Sequence, residues 1–225
     1  MELILVRHAQ PDWTPGNRLR NDPELTELGR IQAQRLAERR WGHIDELWVS
    51  PMIRASQTAD PIAERFGLTP IVRAWMQEIN NPPAWEGSPA DNLYQLFAEY
   101  NARPIDELWD GVPGGESFSS FHQRVTSGVD EVLAHIGAVR QTEGRPTLWS
   151  KPDDRRIMLI AHGGTNAVIL GHLLDSVPTP WEWERFDSFH SSVATLTLRP
   201  FSTAAVFGMT GFGDVGHLDP DQVTR

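Results

Sequence analysis

The sequence predicts an α/β protein, a three-layer sandwich in which a mostly parallel sheet lies between helices. Two observations carry this reading. Short apolar runs, Leu3-Ile4-Leu5-Val6 and Ile157-Met158-Leu159-Ile160-Ala161, read as buried strands, and each ends abruptly in polar residues, Arg7-His8 and His162-Gly163-Gly164. Between and around them lie stretches with helix start and stop signals, and strands alternating with helices imply parallel pairing. In open sheets of this kind, ligands bind beyond the carboxyl ends of the strands. Both histidines are therefore expected at the functional edge.

The elements follow in order. Strand 1 covers about 2–7, and a Pro/Gly/Asn loop runs from Pro11 to Pro23. Thr26 is an N-cap for a helix reaching about Arg39, with Ile31, Ala33 and Leu36 on its apolar face. Glu46 to Ser50 reads as a strand. Pro51 turns the chain into a helix from Ala55 to Phe66, which Gly67 stops. Pro70 to Arg73 is a short strand. The stretch 78–115, with Asn80-Asn81-Pro82-Pro83, Trp85 and Trp109, reads as an inserted flap with one helix near 90–100. Ser117 caps a long helix over about 118–140, and 141–156 is a polar, Pro-containing loop. The central strand 157–161 leads into a helix from Thr165 to Leu174. Strands are expected at Ser192–Leu198 and Ala204–Met209. Residues 211–225 read as a loosely held tail. The whole, 1–225, is expected to be one domain.

Composition narrows the function classes. The net charge of −10 argues against a general nucleic-acid binder, which needs a basic footprint. A few arginines focused in a cleft can still make a local positive site on an acidic protein. The basic residues are nearly all Arg, suited to planar, bidentate phosphate recognition, with Lys151 an exception. The chain has no cysteine, which removes disulfides, thiolate catalysis and Cys-based zinc sites. No apolar run approaches the roughly 20 residues of a membrane span, and the first run lacks the basic leader of a signal peptide. A cytoplasmic protein is expected, with no nucleic-acid or membrane partner. A homodimer is left open.

Four blocks carry a resemblance. Arg7-His8-Ala9-Gln10, Leu25-Thr26-Glu27-Leu28-Gly29, Ser50-Pro51-Met52-Ile53-Arg54-Ala55-Ser56-Gln57-Thr58-Ala59 and Ala161-His162-Gly163-Gly164 occur in this order. With Pro113-Gly114-Gly115-Glu116-Ser117 they span residues 3 to about 172. This ordered set resembles the signatures of the histidine phosphatase (phosphoglycerate mutase-like) superfamily, although Ala9 stands where the family usually has Gly. The resemblance implies a phosphoglycerate mutase-like fold and phosphoryl chemistry through a phosphohistidine.

The residues can supply what that chemistry needs. His8 is the candidate nucleophile. Arg7, Arg54 and His162 should disfavour its imidazolium, and a hydrogen bond from Nδ1 would leave Nε2 free to attack. Arg7 and Arg54 are candidate clamps for the phosphoryl oxygens, Arg54 at a strand-to-helix turn whose N–H groups could add donors. His162 would donate to a phosphoryl oxygen, and Gly163 would let the backbone approach closely. The resemblance places a loop asparagine on the phosphoryl group, here Asn17. It also places a carboxylic acid at the start of the inserted segment. Glu78 fits as general acid and base, with Glu86 its rival. Trp85 and Trp109 could wall the leaving group. Trp48 and Trp149 read as core, and His190 as a structural residue near the site. No metal site and no cofactor are expected, because no His/carboxylate cluster has ligand spacing. The expected activity is metal-independent hydrolysis of small phosphate monoesters. Two alternatives stand: phosphoglycerate mutase-type transfer, disfavoured by the lack of a Tyr-Gly-Glu-type element between Glu78 and Gly115, and an inactive anion-binding scaffold.

Overall fold

The structure, a computed structural model, describes residues 1–90, 98–100, 102–142, 144 and 146–225. Its elements are β1 (Glu2–Arg7), α1 (Glu27–Glu38), β2 (Glu46–Val49), α2 (Ile53–Phe66), β3 (Ile71–Val72), α3 (Ile105–Leu108), α4 (Phe118–His135), β4 (Arg156–Ala161), α5 (Gly163–Leu173), β5 (Val193–Phe201) and β6 (Ala204–Asp214), with short 3-10 turns between them. The strand order is β3-β2-β4-β1-β5-β6. The first four of these run parallel, β5 pairs antiparallel with β1, and β6 pairs antiparallel with β5. This is the mixed α/β sandwich the sequence predicts.

Alternation along each strand divides the core into two layers. Ile4, Val6, Leu47, Val49, Met158 and Ile160 pack under α1 and α2 with Leu36, Ala55, Ala59 and Ile62. Leu3, Leu5, Trp48, Ile157 and Leu159 pack on the other face, under Phe121, Val125 and Val129 of α4 and Val168 and Ile169 of α5. Burying each such side chain contributes roughly 1.5–3 kcal/mol. Trp48 and Trp149 are both core residues, as expected.

Helix ends follow local chemistry. The Thr26 hydroxyl accepts from the Gly29 N–H at 2.9 Å and starts α1. Gly67, at φ 62°, closes α2 in the left-handed conformation. Some bounds differ from expectation. α2 starts at Ile53, two residues early, and α5 starts at Gly163. α4 ends at His135 rather than near 140, because Gly137 at φ 93° turns the chain away. The helix expected near 90–100 lies mostly outside the described residues.

Two expectations are corrected. Ile31 is 43% exposed, and the buried face of α1 is Gly29, Gln32, Ala33, Leu36 and Ala37. Gln32 takes the inward position because all its polar atoms find partners. Its Oε1 accepts from the Gln10 N–H at 2.8 Å, and its Nε2 donates to the Gln222 carbonyl and to Thr224 Oγ1. The same bonds correct the tail. β6 runs to Asp214, a 3-10 turn follows at Pro220–Gln222, and the His190 N–H donates to the Thr224 carbonyl at 3.0 Å. Residues 211–225 are thus held by backbone pairing and by a buried glutamine. No helix among the described residues is long and apolar enough to cross a membrane.

Candidate active site

The sheet register assembles the site. β1 and β4 are adjacent and parallel, with Arg7 opposite Ala161. The next residue on each strand, His8 and His162, therefore emerges at the same edge. Their ring centroids stand 5.1 Å apart. Both rings are buried; His8 lines a cavity of about 1190 Å³ together with Arg7, Arg54 and Glu78, and His162 packs behind His8 without lining it.

His8 is held in one tautomer. Its Nδ1 donates to the Ala9 carbonyl at 2.8 Å, and Arg54 Nε donates to its Nε2 at 3.2 Å. Nε2 is therefore the unprotonated nitrogen, and its lone pair accepts from Arg54 Nε. Burial, then the charges of Arg54, His162, Arg7 and His190, hold the His8 pKa well below its ordinary value.

Arg54 is buried at the start of α2. Its guanidinium bonds Asp22 Oδ1 at 3.2 Å and lies over the Trp13 ring at 4.8 Å. Burial lowers its pKa to about 10, opposed by Glu78 and Asp22, so it stays charged at neutral pH. The α2 N-terminus does not face an open anion site as expected. Asp22 already accepts the Ile53 N–H at 3.0 Å. Arg7 donates to the Ser188 carbonyl and, at 3.3 Å, to His190 Nε2, while its Nε is buried without a partner.

His190 enters the site more closely than the sequence suggests. Its ring lies 5.7 Å from that of His8, and its Nδ1 donates to Thr224 Oγ1 at 3.0 Å. Burial, then Arg7, depresses its pKa to about 3. A chain of bonds thus runs from the C-terminal segment through His190 to Arg7. His162 Nε2 is 2.7 Å from the Ser50 hydroxyl, and its Nδ1 is buried without a partner. Burial, then Arg54, Arg7 and Arg124, keeps His162 neutral.

Glu78 sits at the N-terminus of α5. Its carboxylate accepts from the Gly164 N–H at 2.9 Å and from the Ile79 N–H at 3.0 Å. These donors and the two arginines favour the ionised form, but loss of water outweighs them and raises the pKa. Arg124, which the sequence reading missed, clamps the backbone that carries Glu78. It donates to the carbonyls of Trp75, Gln77 and Glu78, and is paired with Glu116 at 2.8 Å. Gly163 lines the cavity, and a Cβ there would lie 3.6 Å from Arg7 Nε.

Other expected residues lie elsewhere. Asn17 is exposed at φ 60°, at the end of a 3-10 turn, and does not line the cavity. The first loop bows outward there and returns at Asn21 and Asp22, which do line it. Glu86 is also outside, where it binds Arg20 and the Asn21 N–H and ties the first loop to the turn at Pro83–Trp85. Trp109 packs on Phe118 at 5.3 Å, and the aromatic residues that line the cavity are Trp13, Phe118, Trp181 and Trp183, not Trp85 and Trp109. Among the described residues, no group of three or more His, Asp or Glu could hold a metal ion.

The chain is similar to several known proteins. The chain is 35% identical over 136 residues to phosphoserine phosphatase 1 of Hydrogenobacter thermophilus, a match covering 59% of this chain and 64% of that relative, less than two thirds of its length. It is 25% identical over 223 residues to a probable phosphoglycerate mutase, GpmB, of Yersinia enterocolitica, covering 97% and 95% of the two chains. Among solved structures, a mycobacterial glucosyl-3-phosphoglycerate phosphatase superposes with a TM-score of 0.69 at 27% identity, covering 94% of this chain and 98% of that one. The family model for the histidine phosphatase superfamily, branch 1, matches residues 3–206, which take in both strand-end histidines and the strands from β1 to the start of β6, and the chain belongs to that superfamily.

Proposed function

We propose that this protein hydrolyses small phosphate monoesters through a phosphohistidine at His8, without a metal ion. One observation carries the reading. The Nδ1–H bond to Ala9 leaves His8 Nε2 unprotonated, with Arg54 Nε donating to its lone pair in the resting site and free to turn to the phosphoryl group when substrate binds. In the first step that lone pair attacks phosphorus and the P–O bond to the leaving group breaks. The departing oxygen takes the proton of the Glu78 carboxyl group, which its raised pKa keeps available. Arg54, the unpartnered Nε of Arg7 and the unpartnered Nδ1 of His162 donate to the phosphoryl oxygens as charge spreads over them. In the second step Glu78 takes a proton from water, the water oxygen attacks phosphorus, and the N–P bond breaks. Inorganic phosphate leaves with His8 neutral again.

Relatives named as phosphatases support this reading. The mutase-named relative that aligns over most of the chain favours an alternative, return of the phosphoryl group to a second hydroxyl. Labelling tests both. Brief incubation with a ³²P-labelled monoester should give an acid-labile, base-stable phosphoprotein that His8→Ala abolishes, with inorganic phosphate as product and no loss of activity in EDTA. Full turnover by His8→Ala overturns the assignment. Transfer within a phosphoglycerate without phosphate release makes the protein a mutase.

A further inference from the structure

The proposed reaction dictates where the leaving group must lie, since its oxygen takes a proton from Glu78. Gly164 shows what stands beside that carboxyl group. A Cβ built on Gly164 would lie 2.6 Å from Glu78 Oε1 and 2.9 Å from the Trp183 ring. The carboxyl group and the indole therefore flank one point, and a group leaving beside Glu78 leaves against Trp183.

Trp183 belongs to an aromatic cluster. Its ring meets Trp181 edge-on at 4.8 Å and Phe118 at 6.0 Å, and all three residues line the cavity. Trp181 is held at φ 61°, ψ 47°. A bulky L-residue seldom adopts that left-handed conformation, and such strain persists where the surroundings impose it, often at ligand clamps. The cavity, about 1190 Å³, is somewhat larger than the usual small-molecule pocket and has room for more than a three-carbon acid.

The charges on this side are equally selective. The cationic residues lining the cavity, among those described, are Arg7, Arg54 and Arg225. Arg7 and Arg54 face His8, and Arg225 is paired with Asp187 at 2.9 Å. Glu184 adds a carboxylate to the same lining, which also holds Glu116, paired with Arg124. A leaving group bearing its own carboxylate would be desolvated there without a cation of its own.

Resting on the phosphatase reading, we propose that the leaving-group side of the cavity selects a neutral, ring-bearing alcohol and disfavours compact acids of the phosphoserine and 3-phosphoglycerate kind. Trp183 would be the floor on which the ring stacks, and Trp181 the side wall.

The test compares kcat/KM of the full chain for 2-naphthylmethyl phosphate, ethyl phosphate, phosphoserine and 3-phosphoglycerate. All four leave as alkoxides, so recognition is not confused with an easily expelled phenolate. The naphthylmethyl ester should exceed each of the others by at least about tenfold, the scale on which an apolar pocket discriminates. Trp183→Leu should bring the naphthylmethyl-to-ethyl ratio towards one, and Trp183→Phe should keep most of it. Equal or better turnover of either compact acid overturns the substrate class while leaving the phosphatase reading intact. No phosphate release from any of the four, with no phosphoprotein, overturns both.

Discussion

At His8 and Glu78, burial shifts two protonation equilibria in opposite directions, and both shifts suit an acid–nucleophile pair. His8 stays neutral well below the ordinary imidazole range, and Glu78 stays protonated above the ordinary carboxyl range. kcat/KM for alkyl esters should therefore hold at mildly acidic pH and fall as pH rises through the elevated Glu78 pKa. Glu78→Gln should slow alkyl phosphates by roughly 10²–10⁴-fold while costing activated aryl phosphates far less in the first step. Glu86→Gln should leave that leaving-group dependence in place, since Glu86 touches Arg20 and Asn21 and not the cavity. A leaving-group-dependent loss in Glu86→Gln but not in Glu78→Gln would reverse the two roles. Arg54→Ala removes a donor from the His8 ring and a charge from the pocket, and should cost at least about 3 kcal/mol of transition-state stabilisation. A kcat/KM near wild type would take Arg54 out of phosphate binding.

Among the elements, α5 makes the sharpest demand. Its first turn must bring the Gly164 N–H to the Glu78 carboxylate while fitting under Trp183, and only a residue without a Cβ leaves the room. Gly164→Ala should push the carboxyl group away from the position from which it delivers a proton. The fold should survive a cost of roughly 1–3 kcal/mol, as for other overpacked sites. Activity on alkyl phosphates should drop far more than activity on aryl phosphates, the pattern of Glu78→Gln. Thermal unfolding measured beside kcat/KM checks both parts. A variant with normal alkyl turnover would mean that Glu78 does not act from the helix N-terminus.

For the molecule as a whole, the buried imidazoles set the acid limit of stability. His8, His162, His190 and His217 all have folded pKa values below the ordinary 6.5, about 3 for His190 and about 4 for His217. The unfolded chain binds protons at these positions as pH falls below about 6.5, and the folded chain does not. Folding stability is therefore complete above that pH and is lost progressively as pH falls towards the folded values. Each imidazole contributes a slope of up to about 1.4 kcal/mol per pH unit. Tm should decline between pH 7 and pH 5, before most carboxylates titrate. A flat Tm over that interval would show that these rings take up protons without leaving their places.

The sequence by itself determined the strands and the edge at which they end. The apolar runs of β1 and β4 stop at Arg7-His8 and His162, and the caps at Thr26 and Gly67 mark their helices, because these signals are local. The alternation of such segments also implies parallel pairing, and parallel pairing implies that both histidines share one edge. What lies across that edge was decided only by tertiary structure. Asp22, Arg124, His190 and Thr224 reach the site from four separate segments, and no local pattern links them. Asn17 and Asn21 belong to one loop, and only the path of that loop chooses between them. The same holds for the tryptophans: Trp85, Trp109, Trp181 and Trp183 look alike in a sequence, whereas the two that line the cavity do so because the chain after α5 folds back over Gly164. Residue type fixes which chemistry a side chain can perform. Which side chains meet depends on how distant segments pack, and that is set by contacts with the whole molecule.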